Sequence, residues 1–133
     1  MITSAEEFYR LRTSEIKREY DRASYEQAPL EVWLEVIKKF PEMRSWIAHN
    51  KTVPIKVLEI LSQDGNPKVR SIVATKRKLP EHIQLILAKD RDTFVRERLV
   101  WNDNAADSVL QILAEDIELH IREKAEAQLS KVA

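Results

Sequence analysis

Asp64 and Arg70, Asp90 and Arg96, and Asp116 and Arg122 are three carboxylate–guanidinium pairs with the same six-residue spacing, and each pair lies 26 residues after the last. An arginine offers a planar fork of N–H donors that matches a carboxylate or a phosphate with two parallel hydrogen bonds. The pairs therefore have two readings. Each Arg can bridge its own and a neighbouring Asp, so that the row fixes the register of stacked layers. Alternatively, the arginines form a row that binds phosphate. The segment before breaks the pattern, because Lys38 stands at the aspartate position while Arg44 keeps the arginine position. Arg44 is accordingly a candidate for contacting a partner.

Little else in the chain has the spacing of chemistry. His49, His82 and His120 fall at different places in their segments, and no HxxxH or HExxH spacing exists, so no metal site is expected. One glycine cannot build a glycine-rich phosphate loop, and without cysteine there is no thiol nucleophile, disulfide or iron–sulfur cluster. Ser45 and Ser71 occupy equivalent positions, which suits structure rather than catalysis. No catalytic residue, cofactor or metal is expected, and the chain reads as a non-enzyme.

The tryptophans say more. Trp33 aligns with Leu58 and is expected in the core. Trp46 aligns with Ile72, Arg98 and Lys124, whereas Trp101 aligns with His49, Thr75 and Ala127. Neither column is apolar throughout. These two either fill gaps between unequal layers or anchor a partner, as Trp and Arg do at interface hot spots. Stacked helices place equivalent positions roughly 10 Å apart. Trp46, His49 and Trp101, with Lys51, Lys76 and Arg77 just past the helix ends and Arg44 nearby, are therefore expected to form one patch, aromatic at its centre and basic at its rim.

The elements that must position these residues follow from the repetition itself. Pro41–Pro54 reads PEMRSWIAHNKTVP and Pro67–Pro80 reads PKVRSIVATKRKLP; TFVRERLVWNDNAA (Thr93–Ala106) and LHIREKAEAQLSKV (Leu119–Val132) continue the period. Each unit reads as two short helices. Pro54 suits a helical first turn, and Val57, Leu58 and Leu61 follow at helical spacing. Asp64-Gly65-Asn66-Pro67 ends that helix, Pro67 opens the next with the stripe Val69, Ile72 and Val73, and Lys76-Arg77-Lys78 sits where the helix dipole favours positive charge. Fixed periodicity of this size marks a solenoid, in which each unit buries its apolar face against its neighbours. The expected organisation is one all-α domain, with a helical cap over 1–27 and repeats at 28–53, 54–79, 80–105 and 106–131. In the cap, Thr3 or Ser4 begins a helix, with Glu7 completing a capping box and Phe8 and Leu11 facing inward. A second helix is expected to start at Thr13-Ser14 and run through Ile16, Tyr20 and Ala23.

The 133 residues are 44% hydrophobic and 33% charged, with zero net charge, which suits a globular domain with solvated helical faces. The charge is banded. Residues 1–37 carry 5 basic and 8 acidic side chains, 38–80 carry 10 and 3, and 81–133 carry 7 and 11. A basic middle can attract an acidic partner, or can attract the acidic ends within the fold. The sequence has no run long and apolar enough to span a membrane, and its start has no hydrophobic leader segment, so a cytoplasmic location is expected.

The pattern P-x-x-[VI]-L-x-x-L-[AS]-x-D-x-x-x-x-V-R-x-x-[VL]-[AV]-x-[NK], as in Pro54–Lys76 and Pro80–Asn102, resembles the leucine-rich repeat variant and is similar to HEAT-like repeats, which carry a comparable Asp/Arg pair. The resemblance covers about residues 29–129 and implies a right-handed α-solenoid with a concave binding face. Some leucine-rich repeat variant proteins hold an N-terminal iron–sulfur cluster on cysteines, which this chain lacks. The usual Asn-Pro after the second helix is altered to Asn50-Lys51, Lys76-Arg77 and Asn102-Asp103. The expected function is a protein-binding module of a bacterial type, serving as an inhibitor, an immunity protein or an adaptor and holding an acidic protein on its curved face. The alternative is a nucleic-acid-binding HEAT-like protein related in architecture to DNA alkylation-repair glycosylases, which use a basic concave face. Overall neutrality weighs against it, since phosphate neutralisation supplies most non-specific affinity.

Overall fold

A computed structural model describes residues 1–131, so Val132, the last residue of the fourth repeat segment, lies outside the described residues. The described residues form ten α-helices and one 3₁₀ turn, with no strand: an all-α protein. They divide into two compact units, Met1–Leu61 and a second beginning at Ser62, and the division falls within the expected repeat 54–79.

The first unit holds α1 (Ala5–Thr13), α2 (Lys17–Tyr25), α3 (Leu30–Lys39), a 3₁₀ turn at Pro41–Met43, α4 (Arg44–His49) and α5 (Ile55–Leu61). Ser4 caps α1 by accepting the Glu7 N–H at 3.0 Å, while Glu7 reaches back to the Thr3 N–H at 2.8 Å. This is a capping box displaced by one residue on its return bond. The second helix begins later than expected, at Lys17. Ser14 is spent in the connection, where its Oγ accepts the Ile16 N–H and donates to Glu19. Phe8 and Trp33 meet edge to face with centroids 5.3 Å apart at the centre of the unit, and both are fully buried with Leu11, Val36 and Ile47. No hydrogen-bond partner for the Trp33 indole N–H is found among the described residues.

The second unit holds α6 (Pro67–Ala74), α7 (Glu81–Ala88), α8 (Thr93–Val100), α9 (Asp107–Leu113) and α10 (Leu119–Ser130). Within it α6 packs on α8, α8 on α10 and α7 on α9. Val73, Leu87, Leu99, Leu113 and Ile121 are fully buried. The expected stripe of α6 needs correction at one place: Ile72 is half-exposed, and Arg70 and Ser71 are buried instead.

Prolines take two different posts. Pro67 is the first residue of α6, with Asn66 as its cap accepting the Lys68 N–H at 2.9 Å. Pro54, expected inside a first turn, precedes α5, and its carbonyl accepts the Val57 and Leu58 N–H groups. Pro80 does the same before α7 for Ile83 and Gln84. A proline preceding a helix gives up no backbone bond, because its carbonyl is the group that the helix start needs.

Candidate functional site

The Asp/Arg row is buried and regular in the second unit. The Arg70 guanidinium grips the Asp90 carboxylate with Nε–Oδ2 at 2.7 Å and Nη2–Oδ1 at 3.1 Å. Its Nη1 donates to the Asp64 carbonyl at 2.6 Å. Arg96 repeats this toward Asp116 at 2.7 and 3.3 Å and donates to the Asp90 carbonyl at 2.7 Å. Each Arg thus takes the main chain of its own unit's Asp and the carboxylate of the next. The Asp side chain has a second task. Asp64, Asp90 and Asp116 each accept the N–H two residues on, which shapes the turn into the following helix. Side-chain exposure of 5% and 7% for Arg70 and Asp90, and 11% and 6% for Arg96 and Asp116, leaves no room for a phosphate there. Arg122 is half-buried and donates to the carbonyls of Asp116 and Ile117. Hydrogen bonding to Asp90 raises the Arg70 pKa, so that guanidinium stays charged.

The surface candidates divide between the units. In the first, Trp46 and His49 lie one turn apart on α4 and pack ring against ring, with centroids 5.5 Å apart. Trp46 is 40% exposed, and the Arg12 guanidinium from the end of α1 stacks on it, 3.5 Å from the ring centroid. Lys51 is exposed, and its N–H is fixed to the Ser24 carbonyl. Arg44 opens α4, half-buried and engaged in an interaction of its own.

In the second unit Trp101 ends α8 and is 61% exposed, and the Lys124 ammonium lies 3.8 Å from its ring centroid. Lys76 and Arg77 follow the end of α6, the first half-buried and the second exposed. Asn102, next to Trp101, donates to the carbonyls of Ala74 and Lys76, both at 2.9 Å. That bond pair brings the start of the basic run Lys76-Arg77-Lys78 beside the end of α8.

Sequence reasoning gave no role to five side chains that set this geometry. Asn50 and Asn102 are buried and do the same work. Asn50 donates to the carbonyls of Ala23 and Glu26, and its Oδ1 accepts the Thr52 N–H, as the Asn102 Oδ1 accepts the Asn104 N–H. Their equivalence was visible as two asparagines 52 residues apart, twice the period. Gln84, 3% exposed, holds the Leu79 and Asn104 carbonyls and the Ala106 N–H. Lys124 and Arg12 supply the cations over the two tryptophans. Lys124 follows Trp101 by 23 residues, one period less a helical turn, whereas Arg12 lies outside the repeats and had no such signal.

Among the described residues no three His, Cys, Asp or Glu side chains group to hold a metal ion, and no helix is long and apolar enough to cross a membrane. No protein-family model matches the chain, and no curated protein or solved structure matches it significantly.

Proposed function

We propose that this chain is a non-enzymatic protein-binding module, a right-handed α-solenoid of four two-helix repeats with an N-terminal cap, akin to leucine-rich repeat variant and HEAT-like proteins. Its partner is an acidic protein, and its role is that of an inhibitor, an immunity protein or an adaptor in the cytoplasm. One observation carries the reading: Trp101 presents most of its side chain to solvent while Lys124 covers its ring and the basic run from Lys76 lies beside the same helix end. An exposed indole rimmed by cations suits a partner surface of carboxylates and apolar atoms. The buried Asp/Arg row supports the assignment from the other side, since its arginines are consumed by the scaffold.

A fluorescein-labelled glutamate-rich peptide, titrated into the full chain, tests this. Trp101→Ala should weaken binding mainly through faster dissociation, and Arg77→Ala should mainly slow association. Micromolar or tighter binding of a single-stranded or duplex DNA at near-physiological salt, with none of the peptide, would replace this reading with the nucleic-acid one.

A further inference from the structure

Arg12 differs from Arg10 and Arg22. Arg10 is paired with Glu19 at 2.7 Å, and Arg22 with Glu26 at 2.5 Å and Glu7 at 3.8 Å. Asp21 is committed to Lys17, Glu6 to Lys39, and Glu26 to the amino terminus. Arg12 makes no ion pair among the described residues. Its guanidinium lies instead over two rings, 3.5 Å from the Trp46 centroid and 5.9 Å from the Tyr20 centroid. Its Nε is buried and meets no acceptor among the described residues. The side chain is thus fixed by stacking and not by a carboxylate, and the hydrogen-bonding capacity of the fork is unspent.

We propose that the Arg12–Trp46–Tyr20 stack is a preformed receptor for a carboxylate of an acidic protein segment, which docks end-on to the two terminal nitrogens of Arg12. Stacking removes the rotamer freedom that an arginine otherwise loses on binding, so little is lost when the carboxylate arrives. The ring faces also lower the hydration of the cation, which strengthens a charge-assisted hydrogen bond to it. His49, packed on Trp46, and exposed Lys51, which follows α4, add basic groups along the helix after Trp46. A phosphate fits less well, because a single guanidinium fork supplies few donors for a doubly charged group. This inference rests on the acidic-partner reading but concerns the first unit, so it can fail while that reading stands.

The test is a titration of hexaglutamate peptide into the ¹⁵N-labelled full chain, followed at the Arg12 Nε–H and Trp46 indole N–H cross-peaks. Both should move and saturate together. Arg12→Gln should raise the dissociation constant about tenfold, and Arg12→Lys, which keeps the charge and loses the fork, should weaken binding as well. Arg10→Gln, at a cation already paired, should leave it unchanged. Cross-peaks that stay in place, or equal weakening by Arg10→Gln and Arg12→Gln, would overturn the proposal. So would inorganic phosphate or oligo-dT moving the same cross-peaks more tightly than the peptide. If the variants unfold, the wild-type cross-peaks decide alone. Peptide bound at Trp101 with these cross-peaks unmoved defeats this inference only, whereas no binding anywhere defeats the acidic-partner reading.

Discussion

In the first unit Arg10 meets Glu19 with the arginine 56% exposed, Lys17 meets Asp21 with the lysine 78% exposed, and Arg22 meets Glu26 with the arginine 38% exposed. In the second unit Arg70 and Asp90 meet at 5% and 7% exposure, gripped through two hydrogen bonds. The same two chemical groups therefore do different jobs. Exposed pairs are screened by salt and water and contribute little. A buried pair has lost its hydration, so its value lies in geometry: removing either partner strands the other charge. The second unit uses Arg70 and Arg96 to hold consecutive turns in register, which takes those two side chains out of any binding surface. The first unit keeps its cations at the surface, and Arg12 is held there by aromatic rings.

The largest effect should come from breaking the buried row. Arg96→Ala takes the guanidinium from the buried Asp116 carboxylate, which keeps only the Glu118 N–H among the described residues, and from the Asp90 carbonyl, and should lower stability by about 3–5 kcal/mol, read from denaturant unfolding. Arg122→Ala, which removes bonds to carbonyls alone, should cost clearly less. A smaller loss, about 1–3 kcal/mol for stranded buried carbonyls, is expected for Asn102→Ala in the second unit and Asn50→Ala in the first. Equal losses there would show that the asparagine tether, unlike the arginine row, serves both units alike.

Acid should act on the first unit. The Glu26 carboxyl is held down to about 2 from the ordinary 4.5, first by its hydrogen bonds with Arg22 and then by the amino terminus. A carboxyl with a lower pKa in the folded state contributes stability above its unfolded value and loses it as pH falls through the folded one. Its contribution should therefore fade between about pH 4.5 and 2. Glu26→Gln should lower the melting temperature at pH 7, by less as the pH falls, and make no difference once the pH is below about 2. The smallest expected effect is that of Arg10→Gln, whose partner is reachable by water; a melt at neutral pH should barely register it.

How much of this was legible in the sequence depends on whether a feature repeats. The Asp/Arg pairs, the two-helix segments and the buried Trp33 were legible because period and residue type recur. The partner of each Arg was read only as a choice between its own and a neighbouring Asp, because spacing cannot tell a side-chain carboxylate from a main-chain carbonyl of the same residue. Arg96 takes the carbonyl of Asp90 and the carboxylate of Asp116. Ile72 was misplaced because a satisfied Arg70 or Ser71 can take the inner position of a short helix. The cap was the least legible part. Ser14 was read as a helix start, yet its hydroxyl shapes the connection, and Arg12 gave no hint of Trp46 because their separation follows no period.

The contrast between the units comes down to one measurement: double-mutant cycles for Arg96 with Asp116 and for Arg10 with Glu19, each by denaturant unfolding at low and at 1 M salt, where the screening length is about 3 Å. The buried pair should keep a large coupling at both salts, and the exposed pair a small one that salt abolishes. Couplings of similar size, or an Arg96–Asp116 coupling that disappears with salt, would contradict the division of charge between scaffold and surface.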